Sequence, residues 1–156
     1  MIKQFLPHLK TRKGALLVNV SSGAALIPFP ISPVYSGAKA ALHSFTESLR
    51  VQMKHTSVTV IELIPPGVET TLFRNDDFAK EMKVPKGMDV KVFAKKAIAG
   101  IEAGKLEVRP GLANVLKIMS RIAPGFALKQ MGKMTPAFGP KSSTTAAKSS
   151  TAGARV

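Results

Sequence analysis

Three side chains are spaced in a way that suits proton transfer: Ser22, Tyr35 and Lys39. Tyr35 and Lys39 are four residues apart, so on a helix they would share one face. A free phenol ionises near pH ~10, too high for acid or base work at neutrality, but a neighbouring cation favours the phenolate. A serine hydroxyl nearby could hold a carbonyl or alcohol oxygen beside that phenol. The spacing therefore predicts proton transfer to or from an oxygen atom.

The elements that would position these residues are a strand and a helix. The apolar run Ala15–Val20 predicts a buried parallel strand, which places Ser21 and Ser22 at its carboxyl end, where open α/β sheets bind ligands. The pair Ser32-Pro33 predicts a helix start, so Tyr35 would lie in a first helical turn. From position alone, either serine could be the one that meets a substrate.

The rest of the pattern predicts an α/β fold with a parallel sheet. A helix at 33–54 is followed by a strand at 58–64, and Asp89 and Gly104 are typical of the start and end of a further helix before a short strand at 105–109. Residues 70–88 predict a long loop or short helices. Helical spacing places Ile2, Phe5, Leu6 and Leu9 on one face of a helix. It assigns inner faces to two further sets: Val34, Ala38, Leu42, Phe45, Leu49 and Met53; and Phe93, Ala97, Ile98 and Ile101.

Three segments together resemble the short-chain dehydrogenase/reductase family over roughly residues 1–110. They are the strand end at 18–23, the Tyr-x-x-x-Lys-Ala-Ala-Leu run at 35–42, and the strand that ends in Pro65-Pro66. The resemblance implies that Ser22, rather than Ser21, binds the reacting oxygen. It implies that Tyr35 is the general acid or base, and that Lys39 holds the nicotinamide ribose and acts on the phenol. Asn19 matches a structural asparagine on the strand.

The loop 65–71 resembles the family's Pro-Gly-x-Val-x-Thr turn. The resemblance implies cofactor contacts from Pro65, Val68 and Thr70, in addition to Tyr35 and Lys39, with NAD or NADP as the cofactor. When the two patterns are aligned on Val68 and Thr70, Pro66 takes the place of the family's glycine.

The sequence departs from the family in what it lacks. It has no Gly-x-Gly-x-x-Gly or related fingerprint, no Asn-Asn-Ala-Gly segment, no ribose selector and no match to the family's fourth catalytic residue, an asparagine. Residues 1–10 resemble only the end of the preceding helix. We therefore expect an incomplete doubly wound, Rossmann-like sheet with flanking helices. Truncation, an incomplete gene model and a partner that supplies the rest all remain open.

Composition sets the domain organisation. We expect a catalytic half at 1–110, an amphipathic helical segment at 111–134 interrupted at Pro124-Gly125, and a disordered basic tail at 135–156. The helical segment could pack on the domain, pair with another subunit or lie on a membrane surface. Residues 111–156 hold 7 of the 23 basic residues and none of the 9 acidic ones, within a net charge of +14.

Other classes of site are weakly supported. The three histidines show no metal-ligand spacing, so we expect them to have surface or packing roles. We expect Asp76-Asp77 to lie in a solvated loop. The basic tail lacks the aromatic pattern of a nucleic-acid binder. The absence of cysteine and of a ~20-residue apolar run favours a cytoplasmic protein. We expect an NAD(P)-dependent oxidoreductase acting on a small carbonyl or alcohol, with a homo-oligomer possible, and as the alternative an inactive fragment that acts as a binding module.

Overall fold

The structure is a computed structural model that describes residues 1–71 and 86–135. Within them the helices and strands follow the order α1 (Ile2–Lys10), β1 (Ala15–Val20), a 3₁₀ turn (Gly23–Ala25), α2 (Pro33–Gln52), β2 (Val58–Leu63), α3 (Val90–Glu102), β3 (Glu107–Val108), α4 (Ala113–Ile122) and α5 (Pro124–Lys133).

The sheet is parallel, as the sequence predicts. In the described residues its strand order is β1-β2-β3. β1 and β2 pair along their whole length, from Ala15 opposite Val58 to Val20 opposite Leu63, and β3 adds two residues beside Glu62 and Leu63. All three strands therefore present their carboxyl ends at the same edge of the sheet.

Helices cover both faces of the sheet, but not evenly. On one face α1 and α2 pack on β1 and β2 through Leu17, Leu49, Met53 and Val60. On the other face α3 covers β2 and β3 through a cluster of Ile61, Leu63, Ala97 and Val108. That cover does not extend to β1, where Leu16, Val18 and Val20 are 50%, 37% and 48% exposed. An apolar row on β1 is thus left facing solvent.

Local sequence signals locate the helix ends well. Pro33 is the first residue of α2, and the Asp89 side chain accepts hydrogen bonds from the backbone N–H groups of Lys91 and Val92 at the start of α3. Gly104 follows α3 with φ of 69°, a left-handed conformation that glycine adopts without strain. The predicted interruption at Pro124 separates α4 from α5.

The predicted inner face of α2 is wrong at three of its six positions. Leu49 and Met53 are buried and Leu42 is half-buried, but Val34 is 86% and Phe45 45% exposed, and Ala38 is exposed as well. The contact face is rotated by about a fifth of a turn, because polar side chains such as Thr46 face the sheet instead. On α3, Ile98, assigned to the inner face, is 56% exposed.

The segment after β3 packs on the domain. Ala113 and Ala127 are fully buried, and a Cβ on Gly23 would lie 2.7 Å from Leu116 Cδ1, so α4 closely approaches the 3₁₀ turn. In the described part of the chain, none of the helices is long and apolar enough to cross a membrane. The predicted loop with Phe73, Phe78 and Asp76-Asp77, and the tail from 136, lie outside the described residues.

Candidate active site

The carboxyl ends of β1 and β2 form the base of the candidate site. The backbone N–H of Ser21 donates to the Leu63 carbonyl at 2.9 Å, and that of Gly23 donates to the Pro65 carbonyl at 3.0 Å. Between these two ties, Ser22 begins the 3₁₀ turn, and its Oγ accepts a hydrogen bond from the Ala24 N–H at 3.2 Å. The partly exposed Ser22 hydroxyl keeps its own proton free to donate, because Oγ acts as the acceptor in this contact.

Tyr35 and Lys39 lie one turn apart at the start of α2. The Lys39 Nζ atom lies 5.7 Å from the centroid of the Tyr35 ring, within the range of a cation–π contact. The same Nζ donates to the carbonyl of Val20, the last residue of β1, at 3.0 Å. Lys39 therefore links the phenol to the strand end that leads into Ser21 and Ser22. Tyr35 is 46% exposed, so its hydroxyl is open to a ligand.

The loop after β2 is tied to the segment before α3. Val68 forms a parallel bridge with Met88, in which Met88 N–H donates to the Gly67 carbonyl at 2.8 Å and Glu69 N–H donates to the Met88 carbonyl at 2.9 Å. A Cβ on Gly87 would lie 2.9 Å from the Gly67 carbonyl oxygen, so this close approach requires glycine. The loop that carries Pro65, Val68 and Thr70 thus leaves the same sheet edge as Ser22.

A buried hydrogen-bonded chain beside this edge is not foreseen from the sequence. Glu62 on β2 is fully buried; its Oε1 accepts from Ser21 Oγ at 2.5 Å and its Oε2 lies 2.7 Å from Nδ1 of His43. The available signal is the charged residue inside the apolar run 58–64, because a carboxylate in a buried strand needs partners. His43, predicted to have a surface or packing role, is one of those partners.

The hydrogen-bonded side chains of Ser21, Glu62 and His43 do not form a hydrolytic triad. In such a triad the imidazole lies between the serine and the carboxylate, so that it can take the serine proton. Here the carboxylate of Glu62 lies between Ser21 and His43: it accepts from the Ser21 hydroxyl and contacts Nδ1 of His43. Ser21 is 2% exposed, which also removes it from contact with a substrate.

A second buried polar contact joins α2 to β1. The Asn19 side chain donates from Nδ2 to Thr46 Oγ1 at 2.9 Å, and Thr46 in turn donates to the Leu42 carbonyl at 2.7 Å. This is the structural position that the sequence predicts for Asn19. Asn19 is 8% exposed and Thr46 is fully buried, so both polar groups are satisfied inside the protein.

The remaining features lie away from this edge. A cavity of about 870 Å³ beside β3 is lined by residues that include Arg50, Lys96 and Arg109, and by none of the predicted site residues. Among residues 1–71 and 86–135, no cluster of His, Asp or Glu is arranged to hold a metal ion.

Comparison with known proteins finds a family model and several relatives. Residues 1–81 match the family model described as short chain dehydrogenase. The uncharacterized oxidoreductase DltE of Bacillus subtilis is 39% identical over 104 residues, covering 67% of this chain and 41% of the relative. The 17-beta-hydroxysteroid dehydrogenase type 3 of Mus musculus is 33% identical over 90 residues, covering 52% and 30% of the two chains.

A solved structure shares the fold. The crystal structure of a short chain dehydrogenase from Burkholderia cenocepacia in complex with NADP matches with a TM-score of 0.72 and 26% sequence identity. The match covers 87% of this chain and 54% of that one. The chain therefore spans about half, or less, of the length of these proteins.

Proposed function

Because the chain belongs to the short chain dehydrogenase family, we propose that it forms the nicotinamide-binding and proton-transferring part of an NAD(P)-dependent oxidoreductase that interconverts a carbonyl and an alcohol. The observation that carries this proposal is the position of Lys39. Its ammonium lies 5.7 Å from the ring of Tyr35 and 3.0 Å from the last carbonyl of β1, immediately before the serine pair. One cation thus lies between the phenol and the strand end that leads to Ser22.

In this proposal Tyr35 moves the proton. Its phenol is half-exposed and, within the described part of the chain, makes no hydrogen bond that would compete with a substrate. The Lys39 charge stabilises the phenolate that forms when the proton leaves, so the phenol serves as acid in one direction and as base in the other.

Ser22 orients the reacting oxygen. Its hydroxyl, used as an acceptor by Ala24 N–H, still has a proton to donate to a carbonyl or alcohol oxygen. Ser21 is not available for this role because its hydroxyl is buried against Glu62. The geometry thus favours the serine that the family resemblance indicates.

The cofactor supplies the hydride, and the residues present fit its nicotinamide side. Lys39 uses one of its three N–H donors on Val20, which leaves two to donate to ribose hydroxyls. Pro65, Val68 and Thr70 lie on the loop at the same sheet edge, which the Val68–Met88 bridge holds in place. The NADP-bound structure from Burkholderia cenocepacia, whose fold the chain shares, supports this assignment.

The reaction class rests on the relatives. The name of the mouse relative, a 17-beta-hydroxysteroid dehydrogenase, describes oxidation of an alcohol. We extend to this chain only the shared chemistry, a hydroxyl and its carbonyl on a small molecule.

Substitution of Tyr35 tests the proposal. The chain would replace the matching part of the Burkholderia cenocepacia protein, and the chimera would be assayed with NADPH and a panel of ketones. Tyr35→Phe is expected to lower kcat by about 10²–10⁴-fold, the usual contribution of a general acid, with cofactor affinity nearly unchanged. Lys39→Met should weaken both rate and cofactor binding, whereas Lys95→Met, at an exposed lysine on α3, should change neither.

Two outcomes would count against the proposal. Near wild-type turnover in Tyr35→Phe would show that another group transfers the proton. A chimera that binds NADPH but reduces no ketone in the panel would favour the alternative, a binding module without turnover.

A further inference from the structure

The buried chain of Ser21, Glu62 and His43, here called the buried bridge, connects three segments that each carry part of the site. Ser21 precedes Ser22 in the chain, Glu62 lies three residues before Pro65, and His43 follows Lys39 by one helical turn. The two contacts of the Glu62 carboxylate, at 2.5 Å and 2.7 Å, therefore join β1, β2 and α2 at one point.

Such a group is costly to bury. A carboxylate that is buried without a partner destabilises the folded protein, because it loses its hydration. Removal of one partner from a buried ion pair is strongly destabilising for the same reason. Glu62 is fully buried and both its oxygens are satisfied, so the bridge is intact rather than half-formed. A pair of this kind adds little net stability compared with apolar residues of the same size. We therefore consider its effect on the positions of the neighbouring residues.

The geometry in question is that of the first half of α2. Leu49, the large apolar residue of α2 that is buried, belongs to the second half, and Met53 follows the helix end. In the first half the buried residue is Ser36, whose Oγ accepts from Phe29 N–H at 2.9 Å. The half that carries Tyr35 and Lys39 thus fully buries no large apolar side chain, and His43 is the first residue after it.

We infer that His43 and Glu62 are positioning residues that fasten α2 to the strand ends one turn after Lys39 and so hold Lys39 beside both Val20 and Tyr35. Hydrogen bonds have short, directional optima, so this contact fixes where that turn of α2 lies. Loss of the His43–Glu62 contact would free α2 to shift, and Lys39, which is anchored by one hydrogen bond to Val20, would move with it. This inference rests on the proposed function, since it concerns the setting of the proposed acid.

Tyr35 allows a test without cofactor or substrate. It is the only tyrosine, and the chain has no tryptophan, so tyrosine fluorescence reports on this one residue. A cation beside the ring attracts iodide, an anionic quencher, but has no such effect on neutral acrylamide. In the unliganded full chain at constant ionic strength, Lys39→Met is therefore expected to lower the ratio of iodide quenching to acrylamide quenching, and this variant sets the scale of the assay.

The bridge variants are then compared on that scale. His43→Leu should lower the quenching ratio as well, by at least half as much as Lys39→Met does. His43→Asn should stay close to wild type, because an asparagine amide can donate from the place of Nδ1. Arg50→Met is the matched control: it removes hydrogen bonds from α2 to the carbonyls of Val60 and Leu106, remote from Lys39. It should lower the melting temperature and leave the quenching ratio unchanged.

A wild-type quenching ratio in His43→Leu, with the ratio of Lys39→Met lowered, would overturn the inference and leave the bridge a purely structural contact. An unchanged ratio in Lys39→Met would overturn it too, since the lysine would then not lie beside the ring. If His43→Leu does not fold, the double variant His43→Leu/Glu62→Leu replaces the whole pair by apolar side chains, and the same lower ratio is expected. Failure of the proposed function is a separate result, because it is read from turnover of Tyr35→Phe.

Discussion

Truncation of Leu49 and of Phe45 tests which face of α2 contacts the sheet. Both residues fit an apolar helical spacing, but Leu49 is 4% exposed and Phe45 45% exposed. Leu49→Ala removes buried methyl groups and leaves a cavity against the core cluster that includes Leu17 and Val60, so we expect a loss of about 2–5 kcal/mol in the free energy of unfolding. For a chain of this size that corresponds to roughly 5–15 °C in melting temperature.

Phe45→Ala should cost far less, although it removes the larger side chain. About half of that ring is already in water, no enclosed cavity is left, and alanine is the better helix former, so the loss should stay below about 1 kcal/mol. Chemical denaturation followed by circular dichroism measures both variants. Equal losses, or a larger loss for Phe45→Ala, would mean that α2 is rotated, and the contact of Lys39 with Val20 would then be wrong as well.

The local signals of the sequence were sufficient for the ends of the elements. Pro33 and Asp89 define helix starts, and Gly104 a helix end, through their own backbone and side-chain chemistry, which needs no distant partner. The parallel sheet follows from the same kind of evidence, since β1 and β2 are apolar runs separated by a helix, and a second helix precedes β3. These predictions are confirmed because each depends on neighbours in the chain.

The inner face of α2 could not be obtained in this way. Apolar spacing selects Val34 and Phe45, but the sheet beneath the helix presents Asn19 and Glu62, which are matched by Thr46 and His43. A polar residue on a strand attracts a polar residue on the helix, and that pairing is a property of two segments rather than one. The rotation of α2 thus depends on contacts 19 and 27 residues apart in the chain.

The candidate site was predicted in its outline, from residue types at characteristic spacings. The positions of Ser22, Tyr35 and Lys39 at one sheet edge agree with that outline, and their roles stay predictions until tested. The choice between Ser21 and Ser22 needed the family resemblance, because the burial of Ser21 depends on Glu62, a residue 41 positions away in the chain.

Three further predictions concern a helix start, cofactor binding and the open side of the sheet. Asp89→Ala should destabilise the chain by about 1 kcal/mol, because the side chain accepts from two otherwise unpaired N–H groups at 2.9 Å and 3.1 Å, and Asp89→Asn should recover most of that loss in a thermal melt. The 156-residue chain alone is expected to show no saturable NAD(H) or NADP(H) binding at physiological concentrations, since its sequence contains no Gly-rich turn to receive the pyrophosphate. It should also self-associate, because β1 has an unpaired edge in the described structure and exposes Leu16, Val18 and Val20 beside it. Val18→Lys places a charge in the middle of that row and should shift the chain toward monomer in light scattering, while Val51→Lys, at a 73% exposed position on α2, should not. Micromolar cofactor binding by a monodisperse wild-type monomer in titration calorimetry would refute both the binding and the association predictions. The chain would then hold the dinucleotide at residues that lack the Gly-rich pattern of a pyrophosphate site.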